Sequence, residues 1–296
     1  MHNFIDIPTG LKALHAIPTI ELLPLVGIPA YWLVGFVIFC GKCLVQGVPR
    51  TERILKTNSR VLPYFIQEYG YWMFGLPVRA LVAMRVTPNL VTILSLIAAA
   101  ASGTFFALGR FSLGGWMLAA SAGCDALDGM VARATGVSSD RGEFFDSVVD
   151  RYSDFFVSLG LLFYYRNDLA PTVIIALGII GSQVMGYAKA KGEAVGIDPK
   201  IGWMQRHERC FYLICATCLS PIVGAFIEPY AVHPMHHLAL FVLATIAIFT
   251  NMTSVARAAY VMKRMDRRPA RSTPAVVVAV EERSHMTPPS QTGHAA

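Results

Sequence analysis

The stretch Asp125–Asp150, D-A-L-D-G-M-V-A-R-A-T-G-V-S-S-D-R-G-E-F-F-D-S-V-V-D, sets four carboxylates into strongly apolar sequence: Asp125, Asp128, Asp146 and Asp150. They form two pairs, spaced i,i+3 and i,i+4, and on a helix such spacings put each pair on one face. An ionised Asp near a bilayer centre costs about 2.5–3.5 kcal/mol on insertion scales, so four uncompensated ones would cost roughly 10–14 kcal/mol. Two pairs of oxygen ligands facing one another are offset by a divalent cation, and Mg²⁺ is the usual ion where a phosphate is also bound. A solvated acidic helix face is the competing reading, and flanks this apolar weigh against it.

The flanks extend over most of the chain. Of 296 residues, 54% are hydrophobic and 15% charged, and the mean hydropathy is +0.50. Those values describe an all-α integral membrane protein that crosses the bilayer several times, and they exclude a soluble enzyme. At ~20 apolar residues per span, six core helices fall at 88–108, 113–134, 144–165, 171–191, 208–227 and 237–262. An extra N-terminal hydrophobic helix at 22–42 is just long enough to cross. Its early Pro24 and Pro29 leave a re-entrant or interfacial course open. Between it and the core, Tyr64, Phe65, Tyr69, Tyr71, Trp72 and Phe74 suit either a segment lying in the interface or packing against the core. The expected organisation is therefore an extension over 1–74, a six-helix membrane domain over 75–265 and a disordered tail over 266–296. No signal-peptide arrangement opens the chain.

Basic residues orient the bundle. Arg50, Arg53, Lys56 and Arg60 precede the core; Arg133 and Arg141 lie between its second and third helices. Lys189, Lys191, Lys200, Arg206 and Arg209 sit between the fourth and fifth, and Lys263, Arg264, Arg267 and Arg268 follow the sixth. All these regions fall on one side, the cytoplasm, and the Asp stretch lies at its edge. The net charge of +6 suits anionic lipid on that side and does not point to nucleic acid, because the cations are spread over helix ends. The six cysteines lie in or beside apolar segments and read as small hydrophobic side chains. His233, His236 and His237 fall on the opposite side and read as a polar loop.

Written as a pattern, D-x2-D-G-x2-A-R-x8-G-x3-D-x3-D is filled by Asp125, Asp128, Gly129, Ala132, Arg133, Gly142, Asp146 and Asp150. It resembles, position for position, the signature of the CDP-alcohol phosphotransferase family of membrane phospholipid synthases. The resemblance implies a six-transmembrane-helix core and transfer of a phosphatidyl group from a CDP-alcohol, such as CDP-diacylglycerol, to an acceptor hydroxyl, with release of CMP. It further implies that Asp125, Asp128, Asp146 and Asp150 hold Mg²⁺ or Mn²⁺, with Asp150 also serving as base; the residues alone do not say which carboxylate is the base. Asp125, Gly129, Ala132, Arg133 and Gly142 are the candidates for binding the CDP-alcohol. Gly129 and Ala132 follow Asp125 by four and seven positions, so they leave room beside it or serve tight helix packing. Gly142 opens the next helix, where free N–H groups meet phosphate oxygens, and Arg133 suits forked phosphate hydrogen bonds.

The segment from Tyr187 to Arg209 is similar to the Y-x-K-A-R-A-E … E-R-x-E-R stretch of the phosphatidylinositol-phosphate synthase branch of that family. Lys189, Lys191, Arg206 and Arg209 are then candidates for an acceptor phosphate, as in inositol 1-phosphate; positive-inside topology explains the same cations without a substrate. Two departures, Gly186 where the branch has serine and the lack of an arginine before Arg257 in the last helix, keep glycerol 3-phosphate or another polyol open. Intramembrane carboxylates also mark cation or proton transporters, although these place them near the midplane of repeated or broken helices. The expected partners are the CDP-alcohol, a polar acceptor and membrane lipids, with a homodimer as the assembly considered.

Overall fold

The computed structural model describes residues 19–48, 64–199, 201–229, 231 and 233–267, and among them every regular element is a helix. In chain order these are α1 (Thr19–Gln46), α2 (Tyr64–Ala83), α3 (Pro88–Ala107), α4 (Phe111–Thr135), α5 (Asp140–Tyr164), α6 (Leu169–Ala194), α7 (Arg206–Ile227) and α8 (His237–Met265). The principal packing pairs close a ring: α3 on α4, α4 on α7, α7 on α8, α8 on α6, α6 on α5, and α5 back on α3. Helix α2 lies outside against α4, and α1 against α2 and α4.

Small residues let the ring close. A Cβ on Gly160 of α5 would sit 1.9 Å from the carbonyl oxygen of Gly103 on α3, so the two backbones touch where neither carries a side chain. Inside, Phe106, Phe111, Leu118, Leu161, Tyr165 and Leu243 are among the buried apolar residues of one cluster. Outside, many large apolar side chains stay exposed, as a lipid-facing surface requires, Ile97, Phe163, Ile180 and Phe241 among them.

Four helices, α3, α6, α7 and α8, are long and apolar enough to cross a membrane. The other two of the ring, α4 and α5, are the pair that carries the Asp stretch. Observed bounds follow the expected ones within a few residues, and the largest shift has a local cause. Helix α5 begins at Asp140, not 144, because Ser139 caps it by accepting a hydrogen bond from Gly142 N–H at 3.2 Å. Asp140 and Glu143 in that first turn complement the helix dipole. The preceding turn closes on Gly136, whose φ of 70° is left-handed.

Helix α1 runs through both Pro24 and Pro29, which lie near its start. Its Trp32, Phe36 and Phe39 pack edge-on and tilted against Phe65, Tyr69, Trp72 and Phe74 of α2. Those α2 aromatics thus pack against α1; the basic residues 50–60 and the tail beyond 267 lie outside the described residues. At the far end of α5 from the carboxylates, Tyr164 and Tyr165 donate to the carbonyls of Pro234 and Met235, and Glu228 pairs with His237 at 2.7 Å. His236 is buried there, stacked on Phe111, and burial beside His233 and His237 lowers its pKa to about 4.

Candidate active site

Three elements of the ring converge on the Asp stretch. Helix α4 supplies Asp125 and Asp128, one turn apart; α5 supplies Asp146, Asp150 and Asp154; the first turn of α7 supplies Arg206 and Arg209. That turn is fixed by a capping box, with Gln205 and Glu208 each bonding the other's backbone N–H.

Carboxylate oxygens of Asp125, Asp128 and Asp146 lie within 4.8 Å of one another. Asp128 is buried and accepts a 2.6 Å hydrogen bond from Thr92 Oγ1 of α3. One oxygen of Asp146, Oδ1, is buried with no hydrogen-bond partner among the described residues. A carboxylate oxygen left so is costly unless something outside the chain meets it. Three hard oxygen donors converging on one point suit Mg²⁺ or Mn²⁺, and the stranded Asp146 oxygen is the observation that fits a cation there.

Asp150 stands beside this trio rather than in it. Its Oδ1 is 3.0 Å from Arg206 Nη2, while Arg206 Nη1 is 2.9 Å from Asp125 Oδ2 and Nε 3.5 Å from Asp154 Oδ1. Arg209 Nη2 reaches Asp154 Oδ2 at 3.1 Å, and its buried Nη1 has no hydrogen-bond partner among the described residues. Asp154, Arg206 and Arg209 line a cavity inside the ring, whose other walls include Ser153, Gln183, Leu161 and Ile246.

The remaining candidates divide. Gly129 faces no neighbouring helix: a Cβ there would meet only the Arg133 guanidinium, at 3.1 Å. That geometry weighs against helix packing as its purpose. Ala132 is half-buried and Arg133 exposed at the end of α4. Gly142 is the third residue of α5, and its N–H is not free, being held by Ser139. The four acceptor candidates are not one cluster. Arg206 and Arg209 line one cavity with Asp154, whereas Lys189 and Lys191 are exposed on α6, Lys189 paired with Glu193 at 3.6 Å.

Two participants escape a sequence reading. Asp154 follows Asp150 by four residues, a spacing that would have extended the Asp face by one turn, yet it lies beyond the signature. Thr92 lies 36 residues from Asp128 and carries no local signal. Arg257 of α8 is buried, donating to Ile201 O at 2.9 Å and Met185 O at 3.1 Å, with Arg209, Asp198 and Glu193 as electrostatic neighbours.

A helical ring in the membrane with carboxylates converging on one point and arginines beside them defines an integral-membrane, metal-assisted phosphoryl-transfer enzyme. The chain belongs to the CDP-alcohol phosphatidyltransferase family, whose profile matches residues 85–247. It is thus a transferase that moves a substituted phosphate from a CDP-alcohol to an acceptor hydroxyl, and the transporter reading falls away. It is similar to the archaetidylinositol phosphate synthase of Pyrococcus horikoshii, 32% identical over 50% of this chain and 79% of that protein. Among solved structures it is similar to Mycobacterium tuberculosis phosphatidylinositol phosphate synthase with CDP-DAG bound: 27% identity, TM-score 0.54, covering 62% of this chain and 90% of that one. The same enzyme in complex with manganese and citrate matches at 26% identity and TM-score 0.55, covering 62% of this chain and 87% of that one.

Proposed function

We propose that this protein transfers the phosphatidyl group of CDP-diacylglycerol to a phosphorylated polyol, inositol 1-phosphate, at the cytoplasmic end of six spans that include α4 and α5. Helix α1 would be an added N-terminal membrane helix, residues 75–265 the catalytic domain, and 1–74 and 266–296 the flanking extension and tail. One observation carries this reading: the convergent carboxylates are linked through Arg206 and Asp154 to Arg209, which lines a cavity and whose buried Nη1 has no hydrogen-bond partner among the described residues. An anion beside Arg209 would give that nitrogen its partner, and a guanidinium suits phosphate in particular. Its likeness to an archaetidylinositol phosphate synthase and to a phosphatidylinositol phosphate synthase supports the same acceptor.

The roles follow from position. Asp125, Asp128 and Asp146 would hold Mg²⁺ or Mn²⁺, which neutralises the pyrophosphate of the CDP-alcohol when bound. Gly129, covered by the Arg133 side chain and no other helix, with Ala132 on the same face, would admit the nucleotide against the α4 backbone once the arginine turns to its phosphates. Gly142 contributes a side-chain-free surface rather than an N–H donor. Asp150, beside the trio, would take the proton of the acceptor hydroxyl as that oxygen bonds to the phosphatidyl phosphorus and the P–O bond to CMP breaks. Arg209 would bind the acceptor phosphate, Lys189 and Lys191 drawing it in from the exposed end of α6. Arg257 beside Arg209 adds a cation where the sequence alone left a gap.

The test is release of CMP by purified protein given CDP-diacylglycerol, Mg²⁺ or Mn²⁺, and inositol 1-phosphate, glycerol 3-phosphate, free inositol or serine. Inositol 1-phosphate is expected to be preferred. Arg209→Ala should raise the acceptor KM roughly 10–150-fold, from a charged hydrogen bond of about 1.5–3 kcal/mol, with the KM for CDP-diacylglycerol little changed. Preference for an unphosphorylated acceptor, or equal loss for donor and acceptor, defeats the acceptor assignment. Labelling of single cysteines placed at 134–142 and 192–207 reads the orientation, and access from outside the cell overturns it.

A further inference from the structure

We propose that Arg206 is a built-in counter-cation of the carboxylate site, seated on Asp125 and Asp150 until a divalent ion arrives and then withdrawing onto Asp154. The inference rests on the metal reading given above and assigns a role to two residues, Arg206 and Asp154, that this reading leaves unexplained.

The geometry is that of a shared seat. Arg206 uses its three guanidinium nitrogens on three carboxylates: Asp125 at 2.9 Å, Asp150 at 3.0 Å and Asp154 at 3.5 Å. Asp125 is also one of the three residues whose oxygens converge for a cation. The same carboxylate therefore belongs to both arrangements, and at equal distance a guanidinium repels a divalent ion about twice as strongly as it attracts an aspartate. Five acidic side chains gathered at one end of a membrane bundle cannot be left without cations, which is why such an arginine is needed when no ion is bound.

A place for Arg206 to go is already present. Asp154 lies one helical turn beyond Asp150 on α5, about 6 Å along the axis at 1.5 Å per residue. The contact of Arg206 with Asp154 is the longest of its three, so it has room to shorten. The backbone at Arg206 is held by the Gln205–Glu208 capping box, so the side chain can change seat while α7 stays in place. Asp154 also accepts from Arg209 at 3.1 Å, so it can hold both guanidiniums at the wall of the cavity that all three line. Withdrawal uncovers Asp150 at the same moment, so the proposed base becomes free only when the site is loaded. Arg206 and Asp154 are positioning residues in this scheme, acting through the groups they release or hold.

The experiment is a calorimetric titration of Mn²⁺ into full-length protein in detergent, with no nucleotide or acceptor present. Arg206→Gln should bind Mn²⁺ at least roughly tenfold more tightly than wild type, since a full charge has been removed from beside a divalent ion. Arg206→Lys, which keeps the charge, should stay near wild type, and Arg209→Gln, which touches only Asp154, should change affinity less than Arg206→Gln. Asp154→Asn removes the second seat without removing the competitor, so it should weaken Mn²⁺ binding, and it gives an independent reading if Arg206→Gln does not fold. Unchanged or weaker Mn²⁺ binding in Arg206→Gln overturns the proposal, as does wild-type affinity in Asp154→Asn. Failure of the wild-type protein to bind Mn²⁺ at all defeats the metal reading itself, which keeps the two outcomes distinct.

Discussion

Replacing Thr92 with valine tests whether the Asp trio is organised from a distance. Thr92 Oγ1 lies 2.6 Å from Asp128 Oδ2 and 3.1 Å from the carbonyl of Pro88 one turn back. A hydroxyl has one proton, and the shorter contact to a charged acceptor takes it. Valine keeps the shape and deletes that proton, leaving a buried carboxylate oxygen without its donor. The cost of losing a hydrogen bond to a charged group is about 1.5–3 kcal/mol. Partners that orient metal-binding carboxylates typically change metal affinity by about 10–100-fold. The half-saturating Mn²⁺ concentration for CMP release should therefore rise by about that factor, while the rate at saturating Mn²⁺ stays close to wild type. Thr92→Ser, which restores the proton, should recover most of the affinity. The assay is CMP release against Mn²⁺ concentration at fixed CDP-diacylglycerol and acceptor. An unchanged Mn²⁺ requirement in Thr92→Val would refute the reasoning, because the 2.6 Å contact would then do nothing for the site.

Gly129→Leu should block CDP-alcohol binding by filling the space beside Asp125 and Asp128, and unchanged nucleotide affinity would show that the nucleotide does not lie over Gly129. Gly160→Ala should destabilise the bundle towards or beyond the upper end of the usual 1–3 kcal/mol for overpacking, because the new methyl meets backbone rather than a flexible side chain; Gly70→Ala, with open space around it, is the control, and equal melting temperatures for the two refute the close α3–α5 crossing. Between pH 6.5 and 4 the unfolded chain binds a proton that buried His236 refuses, so stability should fall as pH falls through that window, by up to roughly 3 kcal/mol. His236→Gln should remove that acid sensitivity, and an undiminished loss of melting temperature at pH 5 would assign it elsewhere.

How much of this was legible in the chain depends on whether the signal was local. Helix period, apolar length and the i,i+3 and i,i+4 spacing of Asp125, Asp128, Asp146 and Asp150 are properties of neighbouring residues, so the six core helices and the two acidic faces could be read without a structure. The start of α5 was missed by four residues because a capping serine outweighed the apolar pattern. Two points needed the tertiary structure. Arg206 and Arg209 share one basic stretch of the sequence with Lys189 and Lys191 but part from them in space: the turn into α7 sets the arginines on Asp125, Asp150 and Asp154, while the lysines stay on the exposed end of α6. Thr92 reaches Asp128 across 36 residues only because α3 packs on α4. The amino-acid order alone determined which residues carry charge into the membrane and at what helical spacing, because those are short-range facts of the covalent chain. Which charge meets which was decided by closure of the ring, since Coulomb and hydrogen-bond energies depend on distances that only packing sets.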